Sequence, residues 1–294
     1  MTPATWGMLI LLAAIWGGSF TANRAALAEL GVLTTVAIRV SGAAMLLWLW
    51  IWARGLPVPK ESGWIGTCLI MGTLNNILPF NLIVWGQTHV PSGLAGILNS
   101  ATAIFSVVLA AMVYPDERLT LRRAIGAGLG LAGVIVTIGV AKLGALDLTS
   151  VGQLAIVAAA LSYATAAVFA RRAFRGVRPE VSAAGMLSAA AVVMLPVAVA
   201  REGVPTLSYA PATWAALFYL ACIASALAYF LFYAILKRTG AGNLGFVTLL
   251  LVPFAILFGV IFFGESLSPQ AYLGFGLLAL GMAVLDGRVL AKFS

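Results

Sequence analysis

The feature that most constrains this sequence is an internal repeat that spans nearly the whole chain. Segments about 148 residues apart carry matching residues in the same order. The equivalent pairs are Trp16 and Tyr163, Arg24 and Arg171, Asn81 and Tyr229, Trp85 and Tyr233, Glu117 and Glu265, Gly126 and Gly274, Gly128 and Gly276, and Gly133 and Gly281. A repeated unit that crosses a bilayer an odd number of times must insert its second copy upside down. Inverted copies with a site between them are the architecture of many transporters.

The composition predicts that the chain is embedded in a membrane. Hydrophobic residues make up 62% of the chain and charged residues 9%, and the mean hydropathy is +1.06. A soluble protein has roughly 45–50% apolar and about 25% charged residues. We therefore predict a polytopic protein whose partner is the lipid bilayer. The net charge of +8 is explained by membrane topology, so it does not predict a nucleic-acid partner.

Hydrophobic segments of the right length predict an all-α fold with ten transmembrane helices, arranged as two inverted five-helix repeats. Each segment has about 20 residues, which suits a hydrocarbon core of roughly 30 Å. The repeats are predicted at 1–140 and 150–294, joined by a linker at 141–149. The predicted spans are 5–23, 34–53, 62–88, 91–114, 121–140, 150–170, 181–200, 212–236, 240–263 and 269–287.

The basic residues predict the orientation of these spans. With the N-terminus in the cytoplasm, thirteen basic residues lie on the cytoplasmic side and three lie on the opposite side. Because cytoplasmic loops carry an excess of Lys and Arg, both termini are predicted to be cytoplasmic. The thirteen are Arg54, Lys60, Arg118, Arg122, Arg123, Arg171, Arg172, Arg175, Arg178, Lys237, Arg238, Arg288 and Lys292, and the three are Arg24, Lys142 and Arg201.

Arg39 is the one charged residue embedded in a predicted span away from its ends, and no Asp or Glu lies in the middle of any span. Embedded carboxylates are the usual mark of proton relays, so their absence argues against a proton pump. Arg39 has two interpretations. Its side chain either snorkels or caps neighbouring carbonyls, or it binds a carboxylate of the substrate.

The third span is unusually polar for a membrane helix. Asn75 and Asn76 lie near its midpoint, and Pro79 frees a backbone carbonyl one turn earlier, near Asn75. These amides, together with Asn81, either face a wet cavity or link helices to each other. In the equivalent eighth span Ser225, Tyr229 and Tyr233 share one helix face, which indicates either a cavity wall or an aromatic core stripe.

A predicted central cavity brings these positions together. Trp16 and Tyr163 lie near the middle of the first and sixth spans, where flat rings suit an apolar side chain or an ammonium group. The residues predicted to line the path are Trp16, Asn75, Asn76, Asn81, Trp85, Asn99, Tyr163, Tyr229 and Tyr233. The predicted hinge positions, in the third, fourth and ninth spans, are Pro79, Gly93, Gly96, Gly245 and Pro253.

Other motifs are interpreted as structural. The repeated glycines of the fifth and tenth spans predict close helix packing, as a scaffold or a dimer contact. Glu117 and Glu265 precede Thr120 and Ser268, which are natural N-caps, so we predict that they fix helix starts. Cys68 and Cys222 are not equivalent in the repeat, and His89 is the only histidine. We therefore predict no metal site, no cofactor and no catalytic residue.

Several of these motifs resemble the EamA-type family of the drug/metabolite transporter superfamily. The first half has the motif Ala14-Ile15-Trp16-Gly17-Gly18-Ser19-Phe20, then Ala37-Ile38-Arg39, then Asp116-Glu117-Arg118-Leu119-Thr120. The second half has Leu251-Val252-Pro253-Phe254 and Gly264-Glu265-Ser266-Leu267-Ser268. The resemblance implies ten helices, a central cavity between inverted halves and transport of small organic solutes across a bacterial inner membrane. Within the family, the chain is most similar to exporters of amino acids and aromatic compounds.

The sequence therefore predicts a transporter that exports amino acids and related amphipathic metabolites by alternating access. A sugar-phosphate or nucleotide-sugar carrier is the alternative within the superfamily, although such anions would need more embedded cations than Arg39. An intramembrane enzyme or a scaffold is disfavoured, because the spans lack a nucleophile with its base. Because both halves are in one chain, a monomer is sufficient for this function, and a dimer is an alternative.

Overall fold

The computed structural model describes residues 3–61, 63–115, 120–138, 148–174, 176–206, 208–239 and 246–286. The side chains of residues 148, 171, 233, 236, 237, 239, 246, 285 and 286 lie outside that description. Everything described is helix or connecting loop. The helices, which we number α1 to α10, are Pro3–Ala26, Val32–Ala53, Gly63–Gly86, Ser92–Val113, Leu121–Ile138, Leu148–Ala173, Pro179–Glu202, Pro211–Thr239, Phe246–Phe263 and Pro269–Asp286.

Eight of the described helices are long and apolar enough to cross a bilayer. Two more apolar helices, Val247–Phe263 and Pro269–Val284, are slightly shorter than that length. Proline and glycine set several helix ends. Pro179 and Pro211 stand at the first positions of α7 and α8, where a missing backbone N–H costs nothing, and Gly203 ends α7 with a positive φ of 86°.

Most helix contacts in the bundle join the two halves of the chain. Helix α2 packs on α7, and α5 packs on α10. Helix α1 packs on α8 and α9, while its equivalent α6 packs on α3 and α4. The contact pattern of the first half is thus repeated, with the roles exchanged, in the second half.

Small residues permit the closest of these contacts. A Cβ atom added at Gly133 would lie 2.7 Å from the carbonyl oxygen of Gly274, and one added at Gly281 would lie 2.6 Å from that of Gly126. The glycines of α5 and α10 therefore let these two helices of one chain touch backbone to backbone, which is the scaffold role predicted for them.

The bundle has an apolar interior and an apolar exterior. Leu98, Ile156 and Leu251 belong to one buried cluster that joins α4, α6 and α9. On the outside, large side chains such as Val192 and Phe262 are about 70% exposed, at 71% and 68%. Apolar side chains on both surfaces of a helix bundle are the arrangement that a lipid environment stabilises.

Candidate functional site

A cavity of about 300 Å³ lies in the middle of the bundle. Eight helices from both halves line it, and no residue of α5 or α10 is among the described residues of its wall. The wall consists of Trp16, Ser19, Phe20, Arg39, Met71, Asn75, Phe80, Ile83, Asn99, Thr102, Tyr163, Ala166, Ala167, Ala170, Phe174, Met186, Ala224, Ser225, Tyr229, Phe232, Thr248 and Leu251. A small number of polar groups on a mainly apolar wall is typical of a site for a small organic molecule.

Wide helical turns contribute to the cavity wall in both halves of the chain. Helix α3 becomes a π-helix at Thr73–Ile77, and α8 becomes one at Tyr219–Leu227. The two segments occupy equivalent positions in the repeat, and π-turns inside α-helices often mark functional sites. In α3 the wide turn contains Asn75, which faces the cavity, and its neighbour Asn76, which does not.

Backbone carbonyls of both wide turns bond to side chains of the opposite half. In a π-helix the carbonyl of Leu74 would accept from residue 79, which is a proline without an N–H. The Ser162 hydroxyl of α6 donates to this carbonyl instead, at 2.7 Å. In α8 the carbonyl of Ala224 accepts the Trp16 indole N–H of α1, at 3.2 Å. Equivalent helices thus support equivalent turns, although with different side chains.

Arg39 is a buried cation on the cavity wall, with 6% of its surface exposed. Its Nε donates to the Ser225 hydroxyl at 3.0 Å, and its guanidinium carbon lies 3.9 Å from the centre of the Phe80 ring. Within the described part of the chain, no carboxylate forms an ion pair with it. The side chain therefore does not snorkel towards the membrane surface but points into the protein interior.

Aromatic and amide groups complete the wall around Arg39. The Asn75 amide donates to the Tyr229 hydroxyl at 3.1 Å and so joins α3 to α8. The Tyr163 ring meets the edge of Phe80, with the ring centres 6.5 Å apart, and Trp16 packs against Phe232. Faces of this kind accept apolar side chains and cations.

Five of the nine residues predicted to line the path lie on the wall, namely Trp16, Asn75, Asn99, Tyr163 and Tyr229. Three others lie off the wall in this structure. Asn76 is fully buried and its amide has no partner among the described residues. Asn81 turns towards Met194 of α7 and donates to the carbonyl of Ile77, and Trp85 packs against His89. The Tyr233 side chain lies outside the described residues.

The predicted hinge positions are close helix contacts or helix irregularities. Pro79 follows the wide turn of α3, and Pro253 lies inside α9. A Cβ added at Gly96 would lie 2.7 Å from Ala255, and one at Gly93 would lie 3.2 Å from Ile256, so both glycines bring α4 against α9. Gly245 lies outside the described residues.

The described wall of the cavity extends from the middle of the bundle towards one end. Its wall continues along α6 through Ala170 to Phe174, which follows the last residue of that helix. In the other direction it stops at Phe20 on α1 and Ile83 on α3. We call the end at Phe174 the cavity end and the opposite end the carboxylate end, because glutamates bind the helices together there.

Glu265 is central to the carboxylate end. Its carboxylate accepts the backbone N–H groups of Ser92, at 2.9 Å, and Gly93, at 3.1 Å, and it forms an ion pair with Arg24. Ser268 caps its own helix α10, as predicted, by accepting the N–H of Ala271 at 3.3 Å. Glu265, in contrast, stabilises the start of α4 in the other half, a role that sequence reasoning missed.

Two more glutamates join helices at the carboxylate end. Glu202, at the end of α7, accepts the N–H groups of Leu33 and Thr34, at 3.0 and 2.8 Å, at the start of α2. Glu29 accepts the N–H of Ala210, at 2.9 Å, and the hydroxyl of Thr213 at the start of α8. An acceptor with a full negative charge at a helix N-terminus is stabilised by the unpaired N–H groups and by the helix dipole.

An amide network lies beneath the glutamates. Asn23 donates to the side-chain oxygen of Gln87 at 3.0 Å, and Gln87 donates to the carbonyl of Phe20 at 2.8 Å. Both side chains are buried. The ends of α1 and α3 are therefore tied together directly above the cavity.

Within the described ranges there is no group of three or more His, Cys, Asp or Glu side chains that could hold a metal ion. The described wall offers hydrogen-bond donors, one cation and aromatic faces, which are the groups typical of a site for a small organic molecule.

Comparison with known proteins agrees with this architecture. The chain is 29% identical to a probable terminal-alkyne amino-acid exporter of Streptantibioticus cattleyicolor, over 99% of this chain and 96% of that protein. It is 23% identical to the uncharacterized transporter YoaV of Bacillus subtilis, over 93% of this chain and 94% of that protein. It is 24% identical to the uncharacterized inner membrane transporter YedA of Escherichia coli K12, over 95% and 90% of the two chains.

The fold has a counterpart among solved structures, and the family is matched twice along the chain. One crystal structure superposes with a TM-score of 0.70 at 20% identity, and the match covers 99% of this chain and 100% of the other. The model of the EamA-like transporter family matches residues 5–139 and again residues 150–285. The chain is therefore a multi-pass membrane transporter that belongs to the EamA-like transporter family.

Proposed function

We propose that this transporter exports amino acids and related small amphipathic metabolites by alternating access through the central cavity. The observation that carries the proposal is the cavity itself, which both repeats line and whose described wall extends towards one end of the bundle. A solute that enters from the cavity end would be released at the other end after the carboxylate end opens and the cavity end closes.

The cavity wall supports amphipathic cargo of amino-acid size. Phe20, Phe80, Phe232 and Leu251 offer apolar surface, and Arg39 is the only Lys or Arg among the described lining residues. A sugar phosphate or nucleotide sugar carries more negative charge than one guanidinium normally binds, which disfavours that alternative. The amino-acid export named for the relative from Streptantibioticus cattleyicolor supports the same class.

Ten spans in two inverted repeats, at 1–140 and 150–294 with a linker at 141–149, complete the proposal. The repeated contact pattern of α1 with α9 and of α6 with α4 supports it, as does the double match to the family. The excess of basic residues supports a cytoplasmic location of both termini in a bacterial inner membrane. In that orientation the cavity end faces the cytoplasm, and the structure corresponds to a carrier ready to load cargo for export.

The test is uptake of labelled amino acids into proteoliposomes, with and without a pH gradient. We expect saturable uptake of apolar or aromatic amino acids, with competition between them. Tyr229→Ala and Trp16→Ala should each lower uptake at least about tenfold while the protein remains folded, because both side chains form the wall. Phe262→Ala, an exposed position on the outside of α9, is the matched control and should transport normally. If no amino acid is taken up by the wild type, the substrate class is wrong.

A further inference from the structure

Arg39 has bonding capacity that the protein does not use. Its Nε is bonded to Ser225 and one face of its guanidinium group covers Phe80. The two terminal nitrogens, which carry four N–H groups, form no hydrogen bond with a described residue. They belong to a side chain that lies on the cavity wall and is 94% buried, since 6% of the residue is exposed.

A buried cation without a counter-ion is costly in a membrane protein. Desolvation disfavours the charge, and the Ser225 hydroxyl and the Phe80 ring compensate only in part. The neighbouring Tyr163 and Tyr229 are neutral hydroxyl groups, so they do not supply the missing negative charge. Ionisable groups inside a membrane usually serve function rather than stability.

We propose that Arg39 binds the carboxylate of the transported amino acid, and this inference rests on the proposed function. A guanidinium group and a carboxylate form two parallel hydrogen bonds, and the free edge of Arg39 supplies the two donors. Ser225, bonded to Nε, and Phe80, beneath the guanidinium plane, fix the orientation of this group. The substrate's ammonium group then lies among the aromatic faces of Trp16 and Tyr163, which attract cations.

This role makes Arg39 a specificity-determining residue rather than a structural link between α2 and α8. A structural link would need only the contacts with Ser225 and Phe80. A carboxylate-binding residue also makes the cavity reject solutes that keep the ammonium group and lack the acid. Acid recognition is therefore the property that separates the two roles.

The experiment compares an amino acid with its amide as competitors of labelled amino-acid uptake. The best substrate of the panel is labelled, and its unlabelled acid and amide forms are titrated against it at about pH 6, where the amide's amino group remains protonated. In the wild type the acid should compete at least about tenfold better, which is the effect of a charge-assisted hydrogen bond. Arg39→Met replaces the buried charge with an apolar side chain that suits the apolar surroundings. In this variant the preference for the acid over the amide should fall to about one.

Two further variants separate charge from geometry. Arg39→Lys keeps the charge but loses the two parallel N–H donors of the guanidinium group. This variant should keep part of the preference for the acid and bind the amino acid more weakly. Arg54→Gln removes an exposed arginine that lies over Trp50 outside the cavity, and its preference should equal that of the wild type.

The outcomes distinguish this inference from the proposed function. Amino-acid uptake without any preference for the acid would overturn the role of Arg39 and leave the function standing. A full acid preference in folded Arg39→Met would overturn it as well. If Arg39→Met does not fold, the wild-type ratio and Arg39→Lys decide, because a wild-type ratio near one or an unweakened Lys variant contradicts bidentate binding. Absence of any amino-acid uptake would refute the proposed function itself.

Discussion

The two ends of this bundle are built from equivalent helices, yet they are held together differently. At the carboxylate end, Glu29, Glu202 and Glu265 each bind the start of a helix in the other half of the chain. At the cavity end, the wall of the cavity runs past Ala170 to Phe174. One end is joined by charged hydrogen bonds across the repeats, and the described wall of the central cavity continues towards the other end.

Duplication accounts for the repeated helix contacts, but it does not account for the glutamates that join helices at the carboxylate end. Glu265 has the equivalent Glu117, which lies outside the described residues. Two of the three bridging carboxylates have no equivalent, because Glu29 corresponds to positions 176 and 177, which are Gly and Val, and Glu202 corresponds to positions 54 and 55, which are Arg and Gly. The ends therefore differ in chemistry and not only in conformation. We infer that closure is more stable at the carboxylate end, which favours the state loaded from the cavity end.

Cysteine labelling measures this difference directly. In detergent, where reagent reaches both ends, a protein without Cys68 and Cys222 would carry either Ala170→Cys or Thr21→Cys as a reporter. Thr21 is buried near the carboxylate end and its hydroxyl has no partner among the described residues, so it tolerates the change. Ala170→Cys should react about 100-fold faster, if opening of the carboxylate end costs roughly 3 kcal/mol. Equal rates would mean that the two ends are equally open.

Loss of the central glutamate should have the next largest effect. Glu265→Gln removes the ion pair with Arg24 and the charge that stabilises the start of α4. We expect closure of the carboxylate end to weaken by about 2 kcal/mol, so that Thr21→Cys labels roughly 30-fold faster. Glu61→Gln, which changes an exposed carboxylate, is the control and should not alter the rate. Unchanged labelling in Glu265→Gln would show that packing alone closes this end.

The glutamates without equivalents should contribute less. Glu202→Gln leaves the N–H groups of Leu33 and Thr34 with a neutral acceptor, and a helix cap of this kind is worth about 1 kcal/mol. Labelling of Thr21→Cys should rise roughly fivefold. The rate at Ala170→Cys should stay the same, and a rise at both reporters would indicate general loosening of the bundle.

A substitution in the middle of the bundle should not alter the difference in labelling between the two ends. Ser162→Ala deprives the Leu74 carbonyl of its donor, and an unpaired buried carbonyl costs about 1–2 kcal/mol. The melting temperature in detergent should fall, while the ratio of the two labelling rates remains that of the parent. Ser162→Thr keeps the hydroxyl and should restore much of the stability. A changed labelling ratio in Ser162→Ala would show that the wide turn of α3 controls an end.

Much of the fold follows from local sequence patterns. The predicted spans agree with the observed helices within a few residues, as with 91–114 for Ser92–Val113, because apolar runs of fixed length and proline breakers are local signals. The ninth predicted span began at 240, whereas the described helix begins at Phe246. The intervening residues lie outside the description.

The site was predicted only in part, since side-chain direction depends on helix geometry. Asn75 and Asn76 are indistinguishable by type and depth, and a regular helix gives no reason to prefer one of them. The packing of α3 against the other half decides it, since Asn75 reaches Tyr229 of α8 while Asn76 is fully buried off the wall. Pro79 indicated that the backbone of α3 is irregular. The hydrogen bond from Ser162 to the Leu74 carbonyl could not be predicted, because it forms only when α6 packs beside α3.

The sequence by itself determined that the chain is a duplicated bundle of apolar helices with a single embedded cation, because hydropathy, repeats and charge are properties of the chain read in order. Tertiary structure alone decided where the cation points and which helices the glutamates join. Those contacts link residues far apart in the chain, such as Arg39 with Ser225 and Glu265 with Ser92. A carboxylate at a helix end is the same residue whichever N-terminus it meets, and only packing brings that N-terminus to it.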